Sequence, residues 1–263
     1  MRRLKMKKLF IISILFFFTG IITFAQQDTM FIHQPGGLVL KVAINDIDSI
    51  VFYSSGIPGN TVTDFDGNVY NIVQIGNQEW FGQNLKVTHF NDGSEIAIET
   101  GNDSWSNLST PAYCWYNNDL ANKNPYGALY NWFTLNEAGN GGKNVCPEGW
   151  HVPSDDEWET LVTYLGGQYG AGGKLKETGT AHWNSPNTGA TNESGFTALP
   201  GGYRAGTDGA FVAMNEKAYW WSDTENYSSS GWYRNINNNS AQVYRHHLGK
   251  DFGYSVRCLK DEE

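Results

Sequence analysis

The stretch Cys146-Pro147-Glu148-Gly149-Trp150-His151-Val152-Pro153-Ser154-Asp155-Asp156-Glu157-Trp158 decides how this chain is read. Ser154 and Glu157 have the S-x-x-E spacing of a capping box, in which two side chains satisfy backbone donors left free at a helix start. Trp158, Leu161, Val162 and Leu165 follow at i, i+3, i+4 and i+7, so one face is apolar and the period is helical. Gly166-Gly167 supplies the stop. The spacing predicts a main helix over about 154–165. Pro153 and Gly149 impose a sharp approach, which places Trp150 in a strand or bend packed against that helix.

Upstream, Arg2, Arg3, Lys5, Lys7 and Lys8 precede an apolar run from Leu9 to Phe18, with small Thr23 and Ala25 before a cut. That is the layout of a secretory signal over 1–25. The rival is an uncleaved anchor, because Leu9 to Ala25 is near the shortest span that crosses a bilayer. No Cys follows the cut, so no lipid is expected there, and cleavage would leave no transmembrane anchor. Five of the 18 basic residues and none of the 27 acidic ones precede the cut, so the mature chain carries 13 against 27, a net charge of −14. Such a surface repels phosphate backbones and argues against nucleic acid. An aromatic content of 14% beside 17% charged residues points to a folded, largely β protein.

Residues 26–55 read as a leader β element. Met30 to His33, a Pro35-Gly36-Gly37 turn and Leu38 to Val42 form a hairpin too small to bury a core alone. It resembles a leader segment of surface and secreted proteins from Bacteroidetes-type bacteria. A linker at 56–60 leads to the main domain, 61–263. Asp66-Gly67 and Gly76-Asn77 mark two hairpin turns. Asp64, Asp66 and Asn68 suggest a calcium loop but miss the EF-hand template and its closing Glu. Tyr126 to Phe133 favours strand by aromatic weight. Gly172 to Glu177 suits a second, short helix. Short strands are expected at Phe196–Leu199, Tyr219–Ser222, Trp232–Ile236, Ala241–His246 and Tyr254–Leu259. The three cysteines, Cys114, Cys146 and Cys258, allow three pairings. Cys146 with Cys258 is the expected one, because it ties the helix-bearing segment to the terminal strand. Cys114 is then a small buried hydrophobe.

Six segments taken together carry a resemblance: CPEGWHVPSDDEW (146–158), GGKLKETG (172–179), WNSPNTGATN (183–192), GFTALPGGYR (195–204), AYWWS (218–222) and GYSVRC (253–258). They resemble the Fibrobacter succinogenes major paralogous domain, over roughly Thr61 to Asp261. The resemblance implies an α+β, C-type lectin-like fold related to the formylglycine-generating enzymes. It also implies a secreted protein at the outer surface or in the periplasm of a Gram-negative bacterium. Those enzymes need two cysteines close together near the carboxyl end, where this chain has only Cys258. Calcium-dependent lectins use E-P-N or Q-P-D with W-N-D; none occurs here, and Ser222 stands where the metal-binding Asn would be. No zinc spacing, nucleophile elbow or phosphate loop is present. Asp155, Asp156 and Glu157 sit where a helix dipole favours acids. No catalytic residue, metal or cofactor is expected.

The segment Gly231 to His247 carries the functional expectation. As a hairpin, alternation turns Trp232, Arg234 and Ile236 inward, and Tyr233, Asn235, Gln242, Tyr244 and His246 outward. An outward set of Tyr, Asn, Gln and His suits an adaptable recognition surface. The plain alternative is a solvated hairpin with a polar tip. Arg204, Arg234 and Arg257 are read as internal props, and Trp150, Trp158, Trp220 and Trp221 as core. The expected role is non-catalytic recognition of a glycan or protein at the cell surface; the runner-up is a structural or assembly component of the envelope, and an enzyme comes third.

Overall fold

The computed structural model describes residues 29–33, 39–43 and 60–262. They fall into two units divided between Ser55 and Gly56. In the first, β1 (Thr29–His33) pairs antiparallel with β2 (Val39–Ala43), Thr29 facing Ala43 and His33 facing Val39. The signal at 1–25, the Pro35-Gly36-Gly37 turn and nearly all of the linker lie outside the described residues.

The second unit is α+β, with mostly antiparallel strands and short helices. It opens with two successive hairpins, β3 (Thr61–Thr63), β4 (Val69–Ile75) and β5 (Gln78–Phe81). Gly76-Asn77 links Ile75 to its partner Gln78, and Gly76 takes the positive φ of 62° that a two-residue hairpin turn needs. A run of small elements follows: β6 (Ala97–Ile98), α1 (Asn102–Trp105), β7 (Ala112–Cys114), α2 (Lys123–Tyr126), β8 (Leu129–Tyr130) and α3 (Glu137–Asn140). Next come β9 (Trp150–His151), α4 (Asp155–Tyr164) and α5 (Gln168–Leu175). β10 (Gly201–Arg204) pairs with β11 (Phe211–Met214), while β12 (Lys217–Tyr227), β13 (Ser230–Asn237) and β14 (Val243–Gly249) make a three-stranded sheet. Finally β15 (Leu259–Lys260) inserts between β5 and β9, giving the order β3-β4-β5-β15-β9.

Both halves of the capping box form. Ser154 Oγ accepts from the Glu157 N–H at 3.2 Å, and Glu157 Oε2 accepts from the Ser154 N–H at 2.7 Å. The apolar face of α4 packs with Trp80, Phe196, Trp220 and Ile236 in one core cluster, with Trp80 and Trp158 rings 4.8 Å apart. Trp150 does lie in a strand, but it packs on Phe81 at 4.9 Å in a different cluster rather than on α4. Alternation along β9 explains this: His151, its neighbour, is the residue that reaches α4, through Glu157.

Four other segments differ from expectation; of Tyr254–Leu259 only Leu259 is strand, while Tyr254 and Ser255 make isolated bridges. Within Tyr126–Phe133 only Leu129–Tyr130 is strand, flanked by α2 and a 3₁₀ turn at Trp132–Thr134. The second helix begins at Gln168 and ends at Leu175, because Lys176 turns inward, fully buried, to donate to the carbonyls of Thr188, Asn237 and Ser240 at 2.8, 3.0 and 2.9 Å. Its glycines permit close backbone approach: a Cβ on Gly173 would lie 2.3 Å from Gly189 O. Phe196–Leu199 makes one bridge, Ala198 to Lys176, instead of a strand. The Phe196 and Thr197 carbonyls accept from Arg257 rather than from a ladder.

Buried arginines hold loops together as props. Arg204 donates to the carbonyls of Glu99, Thr100, Gly101 and Gly209. Arg257 also reaches Phe81 O and Asn84 Oδ1. Trp150, Trp158, Trp220 and Trp221 are all buried.

Cys146 and Cys258 form the disulfide, with Cα atoms 6.0 Å apart, and Cys114 is free and buried. The bond joins residues 112 apart beside the β9–β15 pairing. In the chain-entropy account so long a loop contributes about 5 kcal/mol. Replacing both cysteines by alanine is expected to lower the unfolding free energy by about 2–5 kcal/mol in urea titrations. An unchanged midpoint and slope would count against a stabilising bond.

Candidate functional site

The late sheet β12-β13-β14 is where the expected site residues come together. Its register aligns Trp221, Tyr233 and His246 across one row, and Tyr219, Asn235 and Tyr244 across the next. Alternation therefore groups the residues as expected, but the side they share is not open over the central strand. Tyr254 lies across it, 4.8 Å from Tyr233, 4.9 Å from Tyr219 and 4.4 Å from Trp221. Tyr233 is 9% exposed and Asn235 6%, so neither points outward into solvent. A solvated outer face holds for a free-standing hairpin; here Tyr254 covers that side of β13. Gln242, just before β14, and Tyr244 are half-buried, and His246 is exposed. Tyr244 and His246 remain together, their rings stacked 6.2 Å apart on the edge strand.

The opposite side of the sheet carries an arrangement that alternation alone does not reveal. Asp155, the first residue of α4, is 6% exposed and lies against Arg234 of β13 and Arg245 of β14. Arg234 Nη1 donates to Asp155 Oδ1, and its Nη2 donates to the Asp155 carbonyl at 3.0 Å. Arg245 Nε and Nη2 donate to Asp155 Oδ2 at 2.9 and 2.6 Å. Burial works to raise the Asp155 pKa, and hydrogen bonds from Arg245 and Arg234 overcome it, holding the carboxyl below its usual range. Thus fixed, the Arg245 guanidinium lies 3.6 Å over the Trp232 ring. His247 meets the same indole edge-on at 5.3 Å, and exposed Tyr227 continues the row 5.8 Å from His247.

Beside this row runs an open groove of about 650 Å³. Leu108, Phe133 and Leu248 give it apolar walls; Tyr227, His247 and Asp251 line its rim. Lys250 at its base donates to Glu225 Oε1 at 2.7 Å and lies over Trp132. Ser230, also in the lining, has a buried Oγ without a hydrogen-bond partner.

A smaller cleft of about 200 Å³ contains Asn136, Glu137, His151 and Asp223. Its histidine is committed on both sides: Nδ1 lies 2.6 Å from Asp261 and Nε2 lies 3.0 Å from Glu157. Elsewhere, Asp64 accepts from Asn68 and Tyr70, while Asp66 accepts from Thr88 and pairs with His89, so the acids of the first turn are spent internally. Among the described residues no three His, Cys, Asp or Glu side chains are grouped to hold a metal, and no helix is long and apolar enough to cross a membrane.

The family model named Fibrobacter succinogenes major domain matches residues 73–260. No curated protein and no solved structure shows a match.

The doubly held histidine gives a pH prediction. Hydrogen bonding to Glu157, opposed by burial and aided by Asp261, raises His151 from 6.5 to about 9. Its contribution to stability is complete below 6.5 and lost as pH rises through 9. Burial acts to raise Glu157, but bonds from His151 and Ser154 prevail and lower it from 4.5 to about 2, so its contribution is complete above 4.5 and lost as pH falls through 2. The latch is at full strength between 4.5 and 6.5. Urea titrations from pH 6 to 9 should show a decline in stability that is shallower in His151→Gln. Parallel slopes would remove His151 as the cause.

Proposed function

The chain belongs to the Fibrobacter succinogenes major domain family, and from that premise we propose that it is a secreted or cell-surface, non-catalytic recognition module. Its ligand surface is the β13–β14 side of the late sheet with the adjoining groove. One observation carries this: the ring of Trp232 is held between the guanidinium of Arg245 and the imidazole of His247, next to exposed Tyr227. Aromatic side chains and arginine fixed in place before binding lose little entropy on contact, which is why they dominate recognition surfaces. Tyr244 and His246 extend the same edge strand; Tyr233 and Asn235 support it from beneath.

A C-type lectin-like architecture belongs to the same proposal, since lectin-like folds carry their ligand surface on comparable late strands. Location in an oxidising compartment, at the outer surface or in the periplasm, is supported by the signal-like N-terminus and the Cys146–Cys258 bond.

The test is a combined glycan and protein array probed with the full chain, with and without EDTA. The expected result is an EDTA-insensitive signal that drops about tenfold or more in Trp232→Ala, the scale of a buried anchor. Tyr164→Ala, an exposed residue of α4, should leave it unchanged. A signal indifferent to Trp232 would move the site elsewhere, and no signal with tight envelope association would favour the assembly role.

A further inference from the structure

We propose that the groove beside the late sheet holds a neutral oligosaccharide, one sugar ring lying on Phe133 and Leu248 with its hydroxyls bonded by Ser230 and Lys250. This names the ligand class of the recognition surface above and rests on that reading.

Two polar side chains in the lining are left unfinished by the fold. Ser230, the first residue of β13, is 7% exposed, and its Oγ meets no hydrogen-bond partner. A buried hydroxyl left unpaired is destabilising, so the fold itself gains nothing from a serine there. Lys250 is 9% exposed and, among the described residues, its ammonium donates to Glu225 Oε1 alone, at 2.7 Å. An ammonium carries three donors, so two remain. Both residues line the groove.

The rest of the lining selects the ligand. A serine hydroxyl donates and accepts at once, a spare ammonium N–H needs an acceptor, and the carboxylate of Asp251 on the rim needs a donor. A ligand made of hydroxyls answers all three. Half-buried Phe133 and Leu248 give an apolar seat, and exposed Tyr227 adds a ring with a polar tip, which suits the C–H face of a sugar. Charge decides between neutral and acidic sugars. Glu225 offsets Lys250, and Asp251 adds a second carboxylate on a chain of net charge −9, so an anionic ring is repelled. A strand-like peptide finds no ladder at the groove: Lys250, just past β14, donates its N–H to Ser229 O and accepts from Trp132 N–H at its carbonyl. At about 650 Å³ the groove falls within the roughly 300–1,000 Å³ of small-ligand sites.

Neutral oligosaccharides, uronate-bearing or sulfated oligosaccharides, and random peptides, arrayed as three sets and probed with the purified full chain, test this. The strongest signal is expected in the neutral set. Ser230→Ala removes a hydroxyl that bonds nothing in the protein. It should weaken the best neutral hit about fivefold or more, the scale of one hydrogen bond, while the urea midpoint stays the same or rises. Tyr227→Ala, at an exposed position, should weaken that hit as well. A strongest hit among acidic sugars or peptides, or one that Ser230→Ala leaves unaltered, would overturn the proposal; if that hit still needs Trp232, the recognition role stands without the groove. A lower urea midpoint in Ser230→Ala would make the hydroxyl structural and overturn its assignment. If nothing binds, the proposal and the recognition role fall together.

Discussion

The late sheet depends on one buried carboxylate. Asp155 stands at the first turn of α4, where free backbone N–H groups favour a negative charge, and it takes both Arg234 and Arg245. A buried charge costs several kcal/mol unless its partners satisfy it fully, and here both oxygens accept from guanidiniums. The consequence is positional. The helix start is pinned to the central and edge strands of the sheet, and Arg245 is pinned over Trp232. Half-buried Trp232, with exposed His247 and Tyr227 beside it, owes its order to a contact beneath it.

Much of the frame was legible because its determinants are local. Ser154 and Glu157 lie three residues apart and cap their own helix; Trp158, Leu161, Val162 and Leu165 mark its buried face; Gly76 marks a turn through its φ. The Cys146–Cys258 link followed from what the two segments had to hold together. The site was less legible. Alternation correctly grouped Tyr233 with Asn235, Tyr244 and His246, but it cannot say what lies over a face. Tyr254 covers that face, and it comes from a segment with almost no regular ladder of its own. Asp155 read as an acid suited to a helix start, and its second role was hidden in two arginines on facing strands. Two guanidiniums in one hairpin with no acid between them were the available signal.

Loops replace ladders in much of the domain, and buried cations do the joining. Arg204, Arg257 and Lys176 each gather carbonyls from separate loops, so irregular backbone is satisfied without strands. These props lie inside the domain.

The most direct measurement is a double-mutant cycle between Asp155→Ala and Arg234→Ala, read by urea unfolding. If the carboxylate holds α4 to the sheet, each single change should destabilise the fold by about 3–5 kcal/mol and the pair by clearly less than their sum, because Arg234 without Asp155 keeps only the more distant Glu159 and Asp155 without Arg234 keeps only Arg245. Additive losses would contradict that account and would make Asp155 no more than an acid at a helix start.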